Sequence, residues 1–242
     1  MDRQTFLDAL TTDSQALIDA ALPALDQPIE FIDGWTVRDL VGHTGAVWTF
    51  GAANALAGTD EMTPPGDAAT APDGAAIGEW IVERRAALLA ALTDVDPGAA
   101  AWTFMGFKTA VWWIRRMTHE TAVHRFDAQA ATGGGQPVDS DLATDGINEY
   151  TEFSLRTSRS KPNRIYPAES LHLHRSDGDG EWMFARGATE HEVVVTHEHG
   201  KGDAAVRGPA SDLLLWVWNR PVTGVEIFGD AGVAEAWRAL AP

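Results

Sequence analysis

The sequence predicts a multidomain α+β protein, an antiparallel four-helix bundle in residues 1–157 followed by a small α+β domain in residues 158–242. Three observations predict it. Apolar residues in the first half recur at the helical spacing of three and four. In the second half, short apolar segments alternate between turns rich in Gly, Pro and Asp. Between them, Ser158 to Pro167 is polar, basic and holds two prolines, the composition of a linker.

Phe6, Leu10, Leu17 and Ala21 form the stripe of a first helix, which stops at Pro23. The second begins at Trp35-Thr36-Val37-Arg38-Asp39, where Thr36 can cap the free amides and Asp39 lies in the first turn, a weaker relative of the capping box. Val37, Leu40, Val41, Thr44, Val47 and Trp48 form its buried stripe. Gly58 to Gly74, with Pro64, Pro65, Pro72 and several Asp, has no period and is a long exposed loop, either mobile or part of a lid. Ile77, Ile81, Leu88 and Leu92 mark a third helix that ends before Asp96-Pro97-Gly98. A fourth runs from about Thr109 to Ala131 and stops at three glycines, and a shorter one spans Ser140 to about Ser158.

Leu171-His172-Leu173-His174, a turn at Asp177-Gly178-Asp179-Gly180 and Trp182-Met183-Phe184 read as a β-hairpin. Glu192 to Thr196, Ala204 to Arg207 and Val225 to Phe228 read as further strands. Helices follow Gly208-Pro209 up to Trp218 and close the chain from Val233 to Leu240.

The chain has 242 residues, 35 acidic against 18 basic side chains and no cysteine. A net charge of −17 repels phosphate backbones, which argues against nucleic acid as a partner. The longest apolar run, Leu213 to Trp218, is far short of the roughly 20 residues that span a bilayer, and a start that opens with Asp2 and Arg3 and continues amphipathically does not read as a signal peptide. A cytoplasmic protein with no membrane partner is expected. Without cysteine, a thiolate nucleophile or Cys-ligated zinc is excluded, so any thiol chemistry must come from a ligand.

His119-Glu120-Thr121-Ala122-Val123-His124 superficially matches the zinc-protease motif, but its histidines are five apart and stand about 140° from each other around a helix. They cannot share a metal in that manner. Glu120 and His124 are four apart, about 40° from each other, on the face that also holds Trp113 and Met117. A buried carboxylate beside a buried imidazole needs compensation, either as a hydrogen-bonded ion pair or by a divalent cation. His43, on the stripe between Leu40 and Val47, is either a core histidine bonded to backbone or a third ligand. With it, Glu120 and His124 would form a two-histidine, one-carboxylate site with an open fourth position, the catalytic form of zinc.

Gly34-Trp35-Thr36-Val37-Arg38-Asp39-Leu40-Val41-Gly42-His43, the segment Trp112 to Asp127 and the segment Val206 to Trp216 resemble, in order and over nearly the whole chain, the mycothiol-dependent maleylpyruvate isomerase family of actinobacteria. The resemblance implies a DinB-like four-helix bundle and a C-terminal domain related to sterol carrier proteins. It also implies a divalent metal, zinc or nickel, held by His43, Glu120 and His124, while the role of His119 stays open. Mycothiol is the implied cofactor: its sulfur would bind as thiolate and add to the cis double bond of maleylpyruvate, and rotation and loss of the thiolate would leave the trans isomer. Thiol transfer to a small electrophile is the related activity.

A dicarboxylate substrate needs cationic partners, and the resemblance implies an arginine of the C-terminal domain at the active site. Arg207, at a strand end, and Arg220, at a helix end, are the candidates; Arg115, Arg116 and Arg125 read as interhelical or solvent-facing. The pairs His172/His174 and His197/His199 alternate onto one strand face, which reads as a polar outer face, with a second metal site as the alternative. The Asp177 to Gly180 run lacks the ligand positions of a calcium loop and is a turn. A non-catalytic alternative is a small-molecule binding protein of the same fold with a structural metal or none.

Overall fold

The structure, a computed structural model, describes residues 1–157 and 163–241, and it divides into two compact units, Met1–Gln136 and Pro137–Pro242. Helices α1 (Arg3–Ala21), α2 (Val37–Leu56), α3 (Ala76–Asp94) and α4 (Ala110–Ala131) form the bundle of the first unit. Leu10, Leu17, Leu40, Trp48, Ile81, Leu88, Trp113 and Ile114 are fully buried, so the predicted stripes are the core. The start of α2 is a full capping box: Thr36 N donates to Asp39 Oδ2 (2.8 Å) and Asp39 N to Thr36 Oγ1 (3.4 Å). Two glycines of α2 allow close packing. A Cβ on Gly45 would lie 2.4 Å from the Trp80 ring, and one on Gly51 2.4 Å from Met117 Sδ.

Helix α4 packs against both α1 and α2 and is buried without interruption from Arg116 to Ala128. It is nonetheless a polar helix over that stretch, so its charged side chains must be paired inside the protein. A short hairpin not apparent from the sequence, β1 (Ala100–Thr103) and β2 (Gly106–Thr109), precedes α4. Its Trp102 carbonyl accepts from Trp113 Nε1 (2.7 Å). The Gly58 to Gly74 loop is fastened to the helices, and Arg38 Nη1 of α2 donates to Gly74 O (3.0 Å) at its end. Asn54 exchanges two hydrogen bonds of 2.9 Å with the Thr63 backbone, and Trp80 Nε1 donates to Ala68 O (3.1 Å).

The division falls at Gln136/Pro137, ahead of the expected 157/158, because α5 (Ser140–Glu149) packs against α6 (Ala210–Val217) and its Asn148 accepts from Trp182 Nε1 (2.7 Å). Helix α5 runs on into a wider π turn at Tyr150–Ser154. Of the expected linker, residues 158–162 lie outside the described residues. The rest is no free tether: Arg164 Nη1 donates to Ser154 O (3.0 Å) and Tyr166 OH to Leu155 O (2.6 Å), satisfying carbonyls at the end of the π turn.

The second unit's sheet has the order β5-β4-β3-β6-β7, with β3 (Leu171–Arg175), β4 (Glu181–Arg186), β5 (Val193–Thr196), β6 (Ala204–Gly208) and β7 (Glu226–Gly229). β3 and β6 are parallel and all other pairs antiparallel. Leu171, Leu173, Trp182, Phe184 and Val206 alternate onto the face covered by α6 and α7 (Ala231–Arg238). The β3–β4 turn is an anchor: Asp177 accepts from Arg175 Nε (2.8 Å) and from Ala210 N (3.0 Å), standing in for a cap at α6. Burial opposes its ionisation, but these bonds and the Arg175 charge outweigh burial and hold the Asp177 carboxyl below its usual range. Among the described residues no helix is long and apolar enough to cross a membrane.

Candidate metal centre

His43, from the second turn of α2, meets Glu120 and His124 from the middle of α4, and their donor atoms all lie within 4.8 Å of one another. The structure thus brings together the three residues that helical geometry selected. His43 Nε2 lies 3.2 Å and His124 Nε2 3.1 Å from one and the same oxygen, Glu120 Oε1. The other carboxylate oxygen, Oε2, takes a close ion pair from Arg116, one turn earlier on α4. On the far side of the His124 ring, Nδ1 lies 2.9 Å from Asp127 Oδ2.

These charges are largely out of water. Glu120, His124 and Arg116 are under a tenth exposed and Asp127 is fully buried, whereas the His43 side chain is 37% exposed and opens one side of the cluster to solvent. Burial alone would raise the Glu120 carboxyl, but the charges of Arg116 and His124 and the imidazole hydrogen bonds hold it well below the carboxylate range. Burial would likewise depress the His124 imidazole, yet the Glu120 charge and the hydrogen bond to Asp127 lift it to about 9.

The donor set suits a cation for a specific reason. With Nδ1 donating to Asp127, a neutral His124 aims the Nε2 lone pair at Glu120 Oε1. That contact is favourable only with a proton or a metal ion between the two atoms. Ligands 2.0–2.1 Å from a shared tetrahedral zinc stand about 3.3 Å apart, close to the 3.1 and 3.2 Å separations found here. Imidazole and carboxylate donors fit zinc or nickel and leave room for an exogenous ligand on the His43 side.

Two residues of the cluster were not apparent as site residues from the sequence. Arg116, read as interhelical or solvent-facing, is buried against Glu120, and Asp127 orients His124. The spacings R-x-x-x-E and H-x-x-D, one turn each on a single helix, were the available signals. Arg125 is interhelical, pairing with Asp13 of α1 (3.3 Å). His119 is buried edge-on to Phe6 (5.8 Å between ring centres), and Trp35 packs beside His43 (5.2 Å). The candidate arginines lie in the second unit. Arg207, on β6, is half exposed and 3.4 Å from Glu226, while Arg220, just after α6, donates to Trp218 O (2.8 Å).

Comparison with known proteins agrees with this architecture. The family model of the mycothiol maleylpyruvate isomerase N-terminal domain matches residues 7–129, and that of the MDMPI C-terminal domain matches residues 141–236, on either side of the Gln136/Pro137 division. Two solved structures, the mycothiol-dependent maleylpyruvate isomerase and a point mutant of it, align over 94% of this chain and 93% of theirs. Their TM-scores are 0.64 and 0.65 at 14% identity, which establishes a shared fold. A UbiJ-SCP2 ubiquinone synthesis protein aligns with 43% of this chain and 93% of its own at 22% identity and a TM-score of 0.31. No curated protein matches by sequence. With both family models matched in order and together covering most of its length, the chain belongs to the mycothiol maleylpyruvate isomerase family.

Proposed function

We propose that this protein is a cytoplasmic, metal-dependent enzyme that uses mycothiol as a bound thiol to isomerise a small cis-unsaturated dicarboxylate of the maleylpyruvate type, or to transfer the thiol to a small electrophile. The observation that carries the reading is the convergence of two imidazole nitrogens on one oxygen of a buried carboxylate, in a family named for mycothiol. His43, Glu120 and His124 would hold the cation, zinc or nickel. When bound, such a cation lowers the pKa of a coordinated thiol so that it is ionised near neutral pH.

The chain's own residues do the positioning. Asp127 fixes the tautomer and tilt of His124, so that Nε2 faces Glu120. Arg116 keeps Glu120 ionised and directs Oε2 away from the shared point, leaving Oε1 as the ligand atom. The exposed flank of His43 is the entry side. Of the two arginines, Arg207 offers a half-exposed guanidinium whose ion pair with Glu226 is solvated, which suits capture of a substrate carboxylate, and Arg220 is the second choice.

The test joins composition to activity. Untagged protein purified without chelator is expected to contain stoichiometric zinc or nickel at this site, one equivalent of which is lost in His43→Ala. Ultraviolet monitoring of maleylpyruvate is expected to show turnover with mycothiol and not with glutathione. Turnover that needs no thiol would refute the mechanism, and a His43→Ala protein of unchanged metal content would refute the site.

A further inference from the structure

We propose that the second unit carries a metal site of its own, in which His172, His174, Glu181 and His199 bind one late first-row divalent cation of the zinc class as a structural clamp. The four donor atoms all lie within 4.8 Å of one another. The strand register builds the site. On β3, His172 and His174 are two residues apart and therefore on one face, while Leu171 and Leu173 fill the core on the other. Glu181 of β4 lies directly opposite His174 and diagonally from His172. His199 comes from the connection between β5 and β6, which folds down onto β3. A Cβ on Gly202 of that connection would lie 3.0 Å from His172 N.

Glu181 is the hub. Its Oε1 is 2.7 Å from His174 Nδ1 and 3.1 Å from His199 Nδ1, and its Oε2 meets His172 Nε2. The three ring centres are 5.4 to 6.0 Å apart with planes crossing at 69 to 84°, so the rings splay around a common point instead of stacking. A single carboxylate needs one cationic neighbour, whereas three imidazoles and a carboxylate complete a tetrahedral set. Three nitrogen donors and one oxygen favour zinc, nickel or copper over calcium or magnesium. Four protein ligands leave no open position, the form of a structural site. Arg207, beside His174 on the same face, is turned to Glu226 of β7 and has its own counter-ion there. His197 is not part of the group. The predicted polar outer face is thus a convergent cluster on one side of which the His172 ring is nearly buried.

The decisive experiment counts zinc in the full, untagged chain by equilibrium dialysis against Zn²⁺ followed by elemental analysis. The His43→Ala protein is expected to hold one zinc, and His43→Ala combined with His174→Ala none. His199→Ala, whose side chain is 76% exposed and so tolerates truncation, is expected to weaken the remaining zinc at least about tenfold in the His43→Ala background. Zinc that is absent from His43→Ala, or that His174→Ala and His199→Ala leave unchanged, would overturn the proposal. The α2–α4 site is tested separately: a single zinc lost in His43→Ala and kept in His174→Ala sinks the second site and leaves the first standing, and the opposite pattern does the reverse.

Discussion

Two clusters of histidine and glutamate, one in each unit, are built by different means. In the bundle, Glu120 sits in the most buried helix of the first unit, and a guanidinium and a second carboxylate are buried with it. In the sheet, Glu181 stands near the surface amid three imidazoles. The first arrangement has to counter a large desolvation cost, so each group is oriented before any ligand arrives. The second needs only the two-residue period of β3 and a loop that brings in His199. Enclosure with one open side suits chemistry, and four protein donors with no open position suit fastening.

Removing a ligand from the enclosed cluster is the strongest way to break this contrast. Glu120→Gln is expected to reduce mycothiol-dependent turnover to background and to lower the metal content by one equivalent, while the sheet cluster is unaffected. Assay and elemental analysis on the same preparation check both.

The next effect is on stability. Arg116→Met leaves Glu120 buried without its guanidinium, a loss on the order of 3–5 kcal/mol in the metal-free protein. Because a divalent cation supplies the missing charge, added Zn²⁺ is expected to recover much of the lost melting temperature. Calorimetry of the variant with chelator and with zinc distinguishes this from a packing defect, which zinc would not repair.

Orientation comes third. Asp127→Asn is expected to weaken metal binding at the bundle cluster by about 10- to 100-fold, the usual cost of losing a carboxylate behind a ligating histidine. Zinc bound by His172, His174, Glu181 and His199 should be indifferent to that change, as competition titrations with a chelator would reveal.

The smallest effect concerns a fastening of the second unit that uses no metal. Asp177 is depressed below its usual value in the folded state, so its contribution is present above the unfolded pKa and is lost as pH falls through the lower folded value. Asp177→Asn is expected to cost about 1 kcal/mol at neutral pH, as for a lost helix cap. It should also flatten the acid limb of melting temperature against pH.

Much of the fold was legible because it is local. The Leu10/Leu17 stripe, the Thr36/Asp39 cap and the alternation at Leu171 to His174 each depend on residues a few positions apart. The β1–β2 hairpin was not, since its strands are only four residues long, β1 reads Ala-Ala-Trp-Thr with no apolar/polar alternation in its sequence, and β2 is largely exposed. Within the candidate site, His43, Glu120 and His124 were visible as inward-facing polar residues on apolar stripes. Arg116 was not, because its spacing from Glu120 is equally compatible with a solvated ion pair.

By itself the sequence determined the main helices, the strands of the second unit, the cap of α2 and the absence of any cysteine, for these follow from periodicity, composition and bonds within a few residues. Tertiary structure decided the rest. It assigned α5 to the second unit by packing it on α6, buried α4 on every side so that Arg116 and Asp127 became partners of Glu120 and His124, and carried His199 to His172 and His174. Each of these depends on how elements dock or on how a loop crosses a sheet, contacts between residues distant in the chain that no local pattern encodes.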